Sequence, residues 1–167
     1  FTVFSILGTY FGLPIQDAIA NTRAIGAVLA GIIGGPLLGG AVGLTAGIHR
    51  FSLGGFTAVS CGLSTTIEGL IGGLVHMYLV RRYRRRLLLS PTVAFLTTLA
   101  AEVVQMTIIL LMANPFSAAL DLVRIIAIPM IMANSIGTAI FVSIIRDQRA
   151  MYDELSVTFS AKALKMA

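Results

Sequence analysis

The chain is built from apolar runs that are too long for strands and too uninterrupted for surface helices. They cover 24–48, about 57–80, about 91–113 and about 125–145. Each meets the length of about 20 residues that a helix needs to cross a bilayer. Where lipid is the solvent, every backbone polar group must be satisfied within the chain, so only helices and closed barrels are available. Barrel strands alternate polar and apolar residues, and these runs do not. Only 11% of the residues are charged and mean hydropathy is +0.94, whereas a soluble domain carries about 25% charged residues to coat its surface. The expected fold is an all-α, polytopic transmembrane helix bundle.

Between the runs the sequence supplies breaks. The chain opens at Phe1 in apolar sequence, and 1–13 reads as the end of a span that begins upstream, so the N-terminal span is expected to be truncated. Residues 14–23 are the first polar stretch. The run 24–48 is interrupted by Gly34, Gly35 and Pro36, and reads either as one broken span or as two re-entrant half-helices entering from one face. Ser90 and Pro91 are a helix-start pair for the fourth run, and Asn114-Pro115 ends it. Residues 116–124 read as a short polar connection. The tail 146–167 is charged and compatible with a helix. The domains expected are a transmembrane sensory unit over 1–145 and a cytoplasmic helix over 146–167.

The formal charge of +5 is concentrated, with Arg81, Arg82, Arg84, Arg85 and Arg86 supplying five of the twelve basic residues. Between two apolar spans such a cluster sets topology rather than binding nucleic acid. Cytoplasmic loops hold the excess of Lys and Arg, which puts 81–86 and the tail (Arg146, Arg149, Lys162, Lys165) on the cytoplasmic side. The segments 49–57 and 114–124 then lie together outside.

Two patterns describe the interior. Gly31, Gly35, Gly39, Gly43 and Gly47 recur every four residues, and Gly69 and Gly73 repeat the spacing. Small residues at this interval let helix backbones approach closely in lipid. They predict glycine-rich close packing and identify no ligand. In the third run Cys61, Ser64, Thr65, Glu68 and Gly72 share one helical face. A polar stripe of this kind points at other helices or at a wet cavity. Alternatively, Ser64 and Thr65 bond their own backbone and Cys61 packs as a small hydrophobe.

An ionisable group within a bilayer is costly unless it faces the bundle interior or a partner. Arg23 and Arg50 flank the glycine-rich run. A guanidinium grips a carboxylate through two parallel hydrogen bonds, so two of them opposite small hydroxyl and thiol groups suit a small carboxylate ligand. The competing reading engages them in structural ion pairs with Asp17, Glu68 or Glu102. One cysteine excludes an internal disulfide, two histidines 27 residues apart give no metal constellation, and no cofactor motif, phosphate loop or catalytic triad is present. The fragment is not expected to be an enzyme.

Residues 21–76, with the motifs NTRAIG, GIHR and SCGLS, resemble the membrane sensory domain of LytS-type sensor histidine kinases. The flanks FGLPIQDAIANTRAIG, AEVVQM and DQRAMYDELSVTFSAKALKMA are similar to a pyruvate-sensing branch. The resemblance implies a bacterial inner-membrane receptor that is followed by cytoplasmic GAF and kinase domains. It implies a homodimer acting on a LytTR-type response regulator, with external pyruvate as ligand. The ligand-binding residues it implies are Arg23, Arg50, Cys61 and Ser64. Pyruvate fits them chemically, its carboxylate on the arginines and its keto oxygen near Ser64 or the Cys61 thiol. A weaker likeness in fold to the substrate-binding subunits of vitamin transporters keeps a transporter as the alternative, and a purely structural module as a third reading.

Overall fold

The structure is a computed structural model. It describes residues 1–15 and 18–166, with the backbone alone for Pro14 and 157–166. Helices α1 (Thr2–Tyr10), α2 (Arg23–Ser52), α3 (Ala58–Arg81), α4 (Pro91–Met112) and α5 (Phe116–Met166) form the bundle. A short antiparallel hairpin, β1 (Leu13–Ile15) and β2 (Ala18–Ala20), follows α1, and a 3-10 turn spans Arg85–Leu89. The helices α3, α4 and the first part of α5 are long and apolar enough to cross a membrane, as is α2 by the length of its two halves together. The all-α, multi-pass bundle expected from the apolar runs is the fold observed.

The path of the glycine-rich run is that of two half-helices. Gly35 takes φ 84° and ψ −177°, outside the helical region, in a conformation that only glycine adopts readily. Pro36 follows it and starts the second half. The chain folds back at this point. A methyl group added at Gly39 would lie 2.6 Å from the Gly31 Cα, although eight residues on a straight helix are separated by about 12 Å. The two halves run in opposite directions along α3. In the first, Arg23 meets Thr65 and His76 Nδ1 lies 2.8 Å from the Ile32 oxygen. In the second, Gly39 lies against Gly69, Gly43 against Thr65 and Gly47 against Gly62. The fourfold glycine spacing is therefore the seam between α2 and α3.

Two other features depart from the sequence expectation. Residues 116–124 are not a connection but the first turns of α5. The link between α4 and α5 is only Ala113–Pro115, and Asp121 and Arg124 form an exposed i,i+3 pair at 3.7 Å. The polar stretch 14–23 contains most of the hairpin and the first residue of α2, and Gln16 and Asp17 lie outside the described residues.

The core is layered. At one end Cys61, Met106, Ile109, Ala113, Ala119, Leu122, Ile126 and Met130 pack together with Ala18. At the other, Ile25, Val28, Leu29, Ile32, Ala94, Ala101 and Val142 do so, with Leu88 and Leu89 beside them. Between the two, fully buried, lie Glu68, Glu102, Gln105 and Asn134. The 53–57 turn and the 113–115 link share the first end, and the arginine-rich turn lies at the second. This is the same-side grouping that the charge distribution required.

The seam makes a stability prediction. Gly39→Ala places its methyl against the Gly69 carbonyl and the Gly31 backbone, so it should cost about 1–3 kcal/mol. Gly40→Ala meets only the flexible end of Leu70, at 3.0 Å, and should be nearly neutral. Thermal unfolding in detergent compares them, and equal melting temperatures would contradict a backbone-to-backbone seam.

Candidate functional site

Every member of the predicted polar stripe on α3 faces inward. Cys61, Ser64, Thr65, Glu68 and Gly72 are buried, while Val59, Leu63, Leu70 and Leu74 on the other faces are exposed, as residues in contact with lipid would be. The fold-back in α2 then brings both arginines to this stripe.

Arg23 begins the first half-helix. Its amide donates to Asn21 Oδ1 at 3.1 Å, and the Asn21 side chain in turn donates to the Ile19 carbonyl at 2.7 Å, so a local turn fixes the entry of the helix. Ser5 of α1 donates to the Arg23 carbonyl at 3.0 Å. The guanidinium, 1% exposed, donates through Nε to Thr65 Oγ1 at 2.7 Å and through one terminal nitrogen to Thr9 Oγ1 at 3.4 Å.

Arg50 ends the second half-helix and is wholly buried. One terminal nitrogen donates to the Gly54 carbonyl at 2.7 Å and the other to Thr57 Oγ1 at 3.0 Å, while Nε has no partner. Gly54 takes φ 73°, and the turn that it makes presents this carbonyl to the guanidinium. Arg50 lies within electrostatic reach of both Cys61 and Arg23.

Both guanidiniums are thus held by neutral groups. The ion pairs found among the described residues are Asp121 with Arg124 and Asp147 with Arg146, and both are exposed. Glu68 and Glu102 lie within electrostatic reach of Arg23, but neither is at ion-pair distance. The Glu102 carboxylate instead accepts a short hydrogen bond from Asn134, which also donates to the Asn21 carbonyl at 3.1 Å. Of the structural pairs weighed from the sequence, those with Glu68 and Glu102 are absent, and Asp17 lies outside the described residues.

The hydroxyls behave as the conservative sequence reading expected. Ser64 donates to the Cys61 carbonyl at 3.1 Å and Thr65 to the same carbonyl at 2.8 Å, while the Cys61 thiol packs in an apolar cluster. Each hydroxyl oxygen still has capacity to accept, and Thr65 uses its own for Arg23. Of the four predicted residues, Arg50 lies near Cys61, while Arg23 bonds Thr65, the neighbour of Ser64, and Ser64 itself bonds only its own helix. A neighbouring apolar cavity of about 240 Å³ is lined by Asn21, Thr22, Ile126, Pro129 and Met130 among others, and by none of the four.

Thr9, Thr57 and Thr65 hold the guanidiniums but were not singled out as site residues from the sequence. Thr65 belongs to the stripe. Thr57 lies one turn before Cys61 on the same helical face, a signal that was present and unused. Thr9 carries no pattern, because its partner is fixed only by how α1 packs on α2.

The family described as the 5TMR of 5TMR-LYT matches residues 1–148. The sensor histidine kinase BtsS of Escherichia coli (strain K12) is 54% identical over the whole chain, which covers 30% of that protein. The sensor protein LytS of Bacillus subtilis is 44% identical over 87% of the chain and 27% of its own length. The sensor histidine kinase/phosphatase LytS of Staphylococcus aureus is 38% identical over 81% of the chain and 23% of its own length. The chain therefore spans less than a third of these relatives. No solved structure matches it.

The neutral cradle makes its own prediction. Thr65→Val leaves the Arg23 Nε buried without its acceptor and should destabilise by about 1–3 kcal/mol. Thr66→Val removes only a bond to the Gly62 carbonyl on the same helix, at 3.3 Å, and should change little. Chemical denaturation in detergent distinguishes them. Equal effects would mean that Thr65 does not hold Arg23.

Proposed function

The chain belongs to the family of the 5TMR of 5TMR-LYT, the membrane sensory module of sensor histidine kinases, and we propose that it is a receptor for extracellular pyruvate. In this reading Arg23 and Arg50 take the carboxylate, with Cys61 and Ser64 lining the keto end. The carrying observation is the pair of buried guanidiniums held only by neutral oxygens. A buried cation is stabilised most by a charge-assisted bond to an anion, and here that place is open to a ligand. The unpartnered Nε of Arg50 is a donor of the kind that a carboxylate oxygen satisfies. Ser64 would have to exchange its bond to the Cys61 carbonyl for one to the keto oxygen.

The full-length protein would be a two-component kinase of the inner membrane with its C-terminus in the cytoplasm. It would act as a homodimer on a LytTR-type response regulator. Residues 1–145 would form the sensory unit, and 146–167 would lead as a signalling helix to GAF and kinase domains. The sequence similarity to sensor kinases supports this, as does the unbroken run of α5 from the apolar stretch to Met166. A second reading rests on the fold-back at Gly35. Paired half-helices also build the midplane sites of transporters, so the same pocket in a carrier would move pyruvate rather than report it.

Titrating purified protein with pyruvate tests the pocket. Arg50→Ala should weaken binding at least about 30-fold, the effect of truncating one partner of a buried charged contact. Leu63→Ala on the exposed face should leave affinity unchanged. An Arg50→Ala affinity equal to the parent's would refute the assigned site. Uptake of labelled pyruvate into proteoliposomes should be absent for a receptor, and clear accumulation would favour the carrier.

A further inference from the structure

At the end of the bundle away from Arg23 and Arg50, a second feature stands outside the proposed pocket and does not depend on it. The 3-10 turn and α5 enclose a cleft of about 680 Å³. Arg85 and Arg86 reach it from the turn, and Arg146 and Arg149 from α5, with Asp153 as the single acid. Its apolar wall is Ile33, Leu88 and Leu89. Ile33 belongs to the tip of the folded-back α2, so three separate parts of the chain meet here.

The charges do not cancel internally. Arg146 pairs at 3.1 Å with its neighbour Asp147, and both are more than half exposed, so that pair is weak. Arg85, Arg86 and Arg149 form no ion pair among the described residues. Guanidiniums drawn from two elements into one cleft repel one another unless an anion sits between them. The cleft also lies at headgroup depth, since the apolar helix α4 begins at Pro91, directly after Leu88, Leu89 and Ser90.

From this juxtaposition we infer that the cleft between the 85–89 turn and α5 binds the headgroup of an anionic phospholipid. The phosphate accepts paired bonds from Arg85, Arg86 and Arg149, and the acyl chains leave over Leu88, Leu89 and Ile33. The apolar wall decides between a lipid and free phosphate. Inorganic phosphate would use the guanidiniums and leave that wall without a partner, whereas an amphiphile satisfies both. Basic pockets between helices at the bilayer surface take anionic headgroups for this reason. Bound there, the lipid ties the arginine turn to α5 at the point where that helix leaves its apolar stretch.

The test uses the full-length protein in detergent, titrated with phosphatidylglycerol or with phosphatidylcholine of the same chains and read by native mass spectrometry. Phosphatidylglycerol should be retained in preference. The preference should fall by about fivefold for each arginine removed in Arg85→Gln and Arg149→Gln. Arg81→Gln with Arg82→Gln, outside the cleft, should keep it. Should the Arg85/Arg149 variant fail to fold, added salt should still release phosphatidylglycerol from the parent and spare phosphatidylcholine. Equal retention of the two lipids overturns the inference, as does an equal loss in the Arg81/Arg82 control. Displacement of the lipid by inorganic phosphate would reduce the cleft to a phosphate site and overturn it as well.

Discussion

The architecture depends on one backbone reversal, at Gly35. Were α2 straight, Arg23 and Arg50 would stand about 40 Å apart, at opposite faces of a membrane. Folding back at Gly35 returns the second half-helix along the first, and the two guanidiniums come within electrostatic reach of each other. The reversal is maintained by the absence of side chains. Gly39 sits between Gly31 and Gly69 where a Cβ would overlap backbone. The glycines carry no ligand chemistry, but without them the two arginines would not meet.

Bringing two cations together in a low-dielectric interior is unfavourable, and the surrounding groups show how it is tolerated. Each guanidinium donates two hydrogen bonds to hydroxyls or a carbonyl, which replaces part of its lost hydration without neutralising it. An ion pair would have neutralised it and removed its capacity for a ligand. An ionisable group kept inside a membrane bundle is costly unless it faces the interior or a partner. Two of them retained without structural counter-ions at hydrogen-bond distance are more readily understood as a site than as a fold-stabilising device. Glu68 and Glu102 are buried nearby without pairing with either arginine.

What the sequence made legible follows from how local each signal is. The polar stripe on α3 is a property of one helix, so its period alone put Cys61, Ser64, Thr65 and Glu68 on one buried face. The α4 start at Pro91 was equally local. The route of 24–48 was not, because Gly-Gly-Pro allows both a kinked span and a reversal, and only packing against α3 selects the reversal. Residues 116–124 looked polar because of Asp121 and Arg124, yet a helix accommodates them as an exposed i,i+3 pair. The hairpin 13–20 has too few residues to announce itself by alternation. Thr9 and Thr57 were missed because a hydroxyl becomes an arginine partner only when a second helix places it there. That Arg23 and Arg50 face the bundle interior could be read from the sequence, but the identity of their neutral partners required the fold.

The proposed receptor could move its output helix only through contacts that differ between its two states. Cys61 shares an apolar cluster with Leu122, Ile126 and Met130 of α5, and a second set of contacts lies near the entry to α2. Asn134 of α5 donates to the Asn21 carbonyl, two residues before Arg23, and also to Glu102. Gly137 lies against Ile25, two residues after Arg23, and Phe141 packs edge-on against Phe4 of α1 with ring centroids 4.7 Å apart. These contacts fall in the stretch 134–141 of α5 and reach the entry to α2 and helix α1, so in the proposed receptor a change in how Arg23 is held would act on this segment. The hydrogen-bond partners of Arg50 are instead Gly54 and Thr57, in its own turn. The two arginines therefore differ in kind. In the proposed receptor Arg50 would anchor the anion, and Arg23, at the joint where α1, α2 and α5 meet, would relay its presence.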